Sequence, residues 1–206
     1  MFNYSKFLEF PVKVCKPNPR LAQIVVTQYG GPHGELGASL RYLSQRFTMP
    51  DEVSKGLLTD IGVEELGHLE IVGSLVSQLS KEAPPKEWTE MGSWEYYADN
   101  GASVYPQNSQ GSPFNAASIA VTGDPLTNLY EDLAAEQKAR AVYDNILKLS
   151  DDPDVNEVIK FLRQREVVHF QRFCEAILTL SNRFFESKTR FLQLINQSLS
   201  RLRNRL

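Results

Sequence analysis

Read as apolar and polar positions, the chain repeats one pattern four times: apolar side chains three and four apart, interrupted at mid-stripe by an acid. One stripe runs Leu21, Ile24, Gln28, Gly31, Glu35, Ala38, Tyr42, and a second runs Leu58, Ile61, Glu65, His68, Val72, Leu75, Leu79. A third gives Leu126, Leu129, Leu133, Glu136, Arg140, Tyr143, Leu147, and a fourth Val155, Ile159, Leu162, Glu166, His169, Phe173, Ala176, Leu180. This spacing places each set on one face of an α-helix, apolar at both ends and polar only in the middle.

Turn residues set the ends of these elements. Pro17-Asn18-Pro19 precedes the first pattern, Pro50 opens the second and Ala83-Pro84-Pro85 closes it. Asp124-Pro125 and Asp152-Pro153 each supply an N-cap followed by Pro at the first helical position. The predicted helices are 20–48, 50–82, 125–149 and 153–182. Short loops at 49–51 and 150–152 make two antiparallel pairs, joined by one long crossover over 84–124. That connectivity predicts an all-α, ferritin-like four-helix bundle over 1–182. The crossover carries Trp88, Trp94, Tyr96, Tyr97, Tyr105 and Phe114, so it reads as an ordered cover or a subunit contact. Residues 183–206 form a basic amphipathic C-terminal tail, with a stripe of Phe184, Lys188, Phe191, Ile195, Leu199, Leu202 and Leu206. Two readings stand for that extension: a fifth helix packed on its own bundle or a neighbouring subunit, or a helix docked on a partner protein or an acidic surface.

Four carboxylates at one level of a bundle repel one another unless cations lie between them. Two of the four belong to Glu-x-x-His pairs, Glu65/His68 and Glu166/His169, in a chain with only three histidines. Residues three apart share a helix face, so each pair can grip one ion. With Glu35 and Glu136 added, spacing alone predicts a symmetric six-ligand, carboxylate-bridged two-metal site. Imidazole nitrogen points to transition metals rather than calcium or magnesium. Tyr42 either fills the core or donates its hydroxyl to a ligand carboxylate. Arg140 either pairs with a ligand carboxylate or reaches solvent. Glu64 and Glu70 lie off the seam and read as solvated, His33 as a loop or surface histidine, and Cys15 and Cys174 as packing residues.

Composition narrows the classes. A net charge of −3 gives no reason to expect nucleic-acid binding. The charge is uneven, because Arg183, Lys188, Arg190, Arg201, Arg203 and Arg205 face only Glu186 beyond residue 182. No run of apolar residues is long enough to span a membrane, and Met1–Pro11 does not read as a secretory signal. Two lone cysteines predict a reduced, cytoplasmic setting.

Several segments resemble the manganese catalases. They are Gln28–Arg46 with Gly30-Gly31-Pro32-His33-Gly34-Glu35, Thr59–Glu70 with Glu64-Glu65-Leu66-Gly67-His68, Glu131–Arg140, and Arg165-Glu166-Val167-Val168-His169-Phe170. The match is to the short CotJC-type branch of that family, a spore-coat component of endospore formers, and it covers about residues 1–180. The resemblance implies two manganese ions per chain, held by Glu35, Glu65, His68, Glu136 and His169, with Glu65 and Glu136 able to bridge. It implies that Glu166 sits just outside the metals and moves protons, and that Tyr42 is similar to a tyrosine beside the ligands. The implied reaction is disproportionation of hydrogen peroxide to water and dioxygen, in a homo-oligomer that enters the spore coat beside other coat proteins. Rival expectations are a di-iron peroxidase or ferritin-like protein using the same ligands with iron, and a structural coat protein whose metal site is incidental.

Overall fold

The computed structural model describes residues 5–203, without the side chains of 184, 186–188 and 198–203. Its helices are α1 (Pro19–Val25), α2 (Thr27–Gly30), α3 (Glu35–Gln45), α4 (Glu52–Ser80), α5 (Pro85–Glu90), α6 (Trp94–Asn100), α7 (Pro125–Leu149) and α8 (Pro153–Arg203). Of the expected caps, Asp124 accepts from Thr127 N–H at 2.7 Å and Asp152 from Asp154 N–H at 2.9 Å. The second helix starts after Pro50, with Asp51 as a cap that was not expected, accepting from Ser54 N–H at 2.9 Å; such a cap stabilises a helix start by roughly 1 kcal/mol.

The first predicted helix is broken where a continuous one over 20–48 was expected. A Cβ on Gly30 would lie 2.3 Å from the Pro106 carbonyl carbon, and one on Gly34 would lie 2.6 Å from the Gln28 oxygen. The crossover therefore passes against bare backbone at Gly30, and the chain re-enters a helix only at Glu35. α3 pairs mainly with α4, and α7 with α8, giving the two antiparallel pairs that the loop lengths predicted.

Two apolar clusters hold the bundle together. One gathers Leu21, Val25, Ile71, Leu75, Leu79, Tyr143, Ile146, Val155, Ile159 and Leu162, and the crossover adds Trp88 and Tyr96 to it. The other gathers Tyr42, Leu58, Ile61, Leu129, Phe173, Ile177 and Leu180. On α4, α7 and α8 the residues between the clusters are the polar mid-stripe ones. Full burial of each large aliphatic or aromatic side chain contributes roughly 1.5–3 kcal/mol, so both ends of the polar layer are clamped by core.

The crossover is an ordered cover. Trp88 and Tyr96 are buried and stack with ring centroids 5.8 Å apart. Its last stretch is tied down by Arg41 donating to the Ser118 carbonyl at 3.0 Å and Gln45 donating to the Ala120 carbonyl at 2.7 Å. The N-terminal strap lies against α4 and α8: Phe10 stacks on Phe161 at 4.6 Å, and Val14 N–H donates to Gln78 at 2.9 Å.

The C-terminal extension corrects one expectation. It is neither a separate helix nor folded back on its own bundle, because α8 runs unbroken for 51 residues. Phe185, Phe191, Leu192 and Ile195 on it are exposed. The side chains of Phe184, Lys188, Leu199 and Leu202, and all of Leu206, lie outside the described residues. Of the two cysteines, Cys174 is half-buried but Cys15 is exposed, so only Cys174 fits the packing role.

Candidate metal centre

The polar layer is built from helix phase. Glu65 and His68 share the inner face of α4, and Glu166 and His169 that of α8. Glu136 comes from mid-α7, while Glu35 is the first residue of α3, placed there by the Gly31–Gly34 break. All six are at most 1% exposed. Glu65 occupies the middle: Oε2 lies 2.7 Å from His68 Nδ1, and Oε1 lies 3.0 Å from His169 Nδ1. Glu35 Oε2 is 3.8 Å from His68 Nδ1, and Glu136 Oε2 is 3.7 Å from His169 Nδ1. Two half-sites thus flank one shared carboxylate, with the imidazole rings stacked 5.5 Å apart.

Tyrosines complete the two halves reciprocally. Tyr42 of α3 donates to Glu136 Oε1 of α7 at 2.6 Å, and Tyr143 of α7 donates to Glu35 Oε1 of α3. Tyr42 therefore takes the hydroxyl-donor role. Tyr143 was read only as a seam residue, although Tyr42 follows Glu35 and Tyr143 follows Glu136 by the same seven positions.

The outer nitrogens of the histidines face a second carboxylate. Glu64 Oε1 lies 3.1 Å from His169 Nε2 and 3.6 Å from His68 Nε2, and Arg165 holds it at 2.7 Å. Glu9 of the N-terminal strap lies 3.6 Å from His68 Nε2. The expectation that Glu64 and Glu70 are solvated is corrected, since both are half-buried. Burial would raise the Glu64 carboxyl, but hydrogen bonds with His169 and Arg165 bring it down to about 2.

Arg140 does not join the layer. Its guanidinium is held by Gln137 at 3.0 Å and Asp144 at 2.7 Å on its own helix, with the side chain 30% exposed. The buried face of α7 is Leu129, Asp132, Glu136, Ala139, Tyr143 and Ile146, so the predicted stripe ran one position out of phase at Leu133 and Arg140. Asp132 is the acid that this slip concealed. It is fully buried, and burial pushes its carboxyl well above the usual range despite Gln45 and Arg41 nearby.

Electrostatically, the layer is over-supplied with acid. Burial and then the Glu65 charge raise Glu35 to about 7. Burial, followed by the charges of Glu35, Glu65 and Glu136, raises Glu166 well above its normal range. Burial lowers His68, but Glu65 and Glu35 overcome it and push the ring up to about 10. The Glu136 Oε2 and Glu166 Oε1 oxygens have no hydrogen-bond partner of normal geometry among the described residues. Donor atoms of Glu65, His68, Glu166 and His169 lie within 4.8 Å of one another. Carboxylate and imidazole donors, buried and converging, fit transition-metal ions, and the cluster could hold them.

The two Glu-x-x-His pairs differ in surroundings. Glu166 lines a narrow recess of about 10 Å³ whose other walls include Pro32, His33, Gly34, Arg41 and Tyr42. His33 is exposed at this recess, in keeping with a loop histidine.

A family model described as manganese containing catalase matches residues 1–192. The chain belongs to the manganese catalase family. It is 50% identical to Protein CotJC of Bacillus subtilis (strain 168) over 177 residues, 86% of this chain and 93% of that protein. It is 37% identical over 184 residues to a probable manganese catalase of Clostridium acetobutylicum, covering 88% of this chain and 82% of that protein. Among solved structures, KatB, a manganese catalase from Anabaena, superposes with a TM-score of 0.81 at 33% identity, over 88% of this chain and 81% of that one. The resemblance to the manganese catalases and to the CotJC branch is borne out, and so is the ferritin-like bundle. No helix among the described residues is long and apolar enough to cross a membrane.

Proposed function

We propose that this protein is a dimanganese catalase that converts two hydrogen peroxide molecules to two waters and dioxygen. Glu35, Glu65, His68, Glu136 and His169 would hold two manganese ions, with Glu65 shared between them. The carrying observation is that one Glu65 carboxylate lies between both imidazole Nδ1 atoms, flanked by Glu35 and Glu136. Bound there, the metal pair supplies two-electron redox chemistry that releases no one-electron radical.

The chain's own groups do the rest. Glu166, the carboxylate on the recess, gains and loses the proton that each half-reaction moves, at the Oε1 atom left without a partner. Tyr42 and Tyr143 hold Glu136 and Glu35 in fixed orientations. Glu64, anchored by Arg165, sits as a negative charge beside the outer nitrogens of the imidazoles, which favours the rings being turned with Nδ1 toward the metals. The apolar clusters on either side exclude bulk water, which strengthens each of these interactions.

Membership of the CotJC branch further supports incorporation into the spore coat of a homo-oligomeric protein. Iron would suit the same donors, so the test is metal-specific. Protein loaded with manganese should bind about two ions per chain and evolve oxygen from peroxide in cyanide sufficient to poison haem. Absence of oxygen evolution from fully manganese-loaded protein, or activity with iron alone, would overturn the reading.

A further inference from the structure

The strap that precedes α1 covers the outer side of the metal centre. Its burial alternates: Leu8, Phe10, Val12 and Val14 pack against the first apolar cluster, while Glu9 and Lys13 between them are exposed. An extended chain turns every second side chain away, yet the Glu9 carboxylate bends back over α4. Its Oε2 lies 3.6 Å from His68 Nε2, and a Cβ on Gly67 would lie 3.7 Å from it. The strap is fixed in this register by Gln78 of α4, which accepts from Val14 N–H at 2.9 Å and donates to the Val12 carbonyl at 3.0 Å. Phe10, next to Glu9, stacks on Phe161, whose ring stands edge-on to His68 at 6.4 Å.

The two imidazoles are unequally supplied on their outer side. Glu64 Oε1 lies 3.1 Å from His169 Nε2 but 3.6 Å from His68 Nε2, and Arg165 holds it at 2.7 Å. His68 is fully buried, and its Nε2 has no hydrogen-bond partner of normal geometry among the described residues. Glu9 therefore brings His68 a second outer carboxylate. A negative charge beside Nε2 favours the tautomer that keeps the proton there and leaves the Nδ1 lone pair facing inward, and it makes the ring a stronger donor.

We propose that Glu9 is a positioning residue for the metal centre, acting through His68, so that the N-terminal strap sets the affinity of one of the two ion positions. This rests on the reading of His68 and His169 as metal ligands. The test is a double-mutant cycle on the full chain, read by manganese(II) affinity in titration calorimetry. In a His169→Gln background, adding Glu9→Gln should weaken binding by roughly 10–100-fold. In a His68→Gln background the same addition should change affinity by less than about twofold. A second measurement needs neither histidine variant. Glu9→Gln alone should leave about one tightly held manganese per chain, with the paramagnetic resonance spectrum of an isolated ion in place of a coupled pair, and an unchanged melt of the chelated protein. Equal losses in both backgrounds would overturn the proposal, as would no loss in either, or both ions retained at wild-type affinity in Glu9→Gln. A cycle that holds in manganese-loaded protein evolving no oxygen would strike the catalase reading alone. Oxygen evolution with a failed cycle would strike only the role of Glu9.

Discussion

The two Glu-x-x-His pairs have the same letters, the same spacing and the same burial, yet their surroundings make them different. Glu65 is held between two imidazoles, and those charges, with hydrogen bonds from both rings, keep its carboxyl well below the usual range against the opposing effect of burial. Glu166 has no such partners; burial and three neighbouring acids push it the other way. Behind Glu65 stand Glu64, Arg165 and Glu9, whereas in front of Glu166 is the recess past His33. A motif therefore states which groups share a helix face, while the neighbouring helices decide whether an acid binds a cation or handles a proton.

The comparison can be broken most severely at Glu65. Glu65→Gln removes the shared carboxylate, and both metal retention and oxygen evolution should fall by at least about 100-fold. Metal analysis after gel filtration, alongside an oxygen electrode, measures both. A smaller change is expected one shell out. Glu64→Ala removes the carboxylate beside His169 Nε2, leaving only Glu9 near His68 Nε2, and should weaken manganese affinity by roughly 10–100-fold, read by titration calorimetry with helix content unchanged.

The smallest effect concerns pH. Glu35, with a normal value of 4.5, is raised to about 7 in the fold, so between these values the folded chain binds more protons than the unfolded one. Stability of the chelated protein should therefore fall as pH rises through that window. The stabilisation gained on adding manganese should grow over the same range, which thermal melts at several pH values would reveal.

How far the sequence carried these conclusions varies along the chain. α7 begins and ends at the predicted residues, because Asp124-Pro125 fixes its start. Its buried face was harder to phase. From Leu129 to Glu136 the stripe can step through Asp132 or Leu133, and from Glu136 to Tyr143 through Ala139 or Arg140. Apolarity favoured Leu133, and Arg140 was accepted with it. Burial of Asp132 beside Arg41 and Gln45 depends on a helix distant in sequence, so no local pattern shows it. The crossover has no 3-4 period, and the need for Gly30 arises only when Pro106 passes against it. Glu64 was missed because its partners His169 and Arg165 lie on α8. Tyr143 was legible, since the Glu-to-Tyr spacing of seven occurs twice.

Glu166→Gln tests the central claim most directly, with bound manganese per chain and peroxide turnover measured on the same sample. The account predicts wild-type manganese content with turnover lowered by roughly 10²–10⁴-fold. Loss of metal to the extent seen for Glu65→Gln would make Glu166 a ligand equivalent to Glu65 and contradict the division of labour between the two pairs.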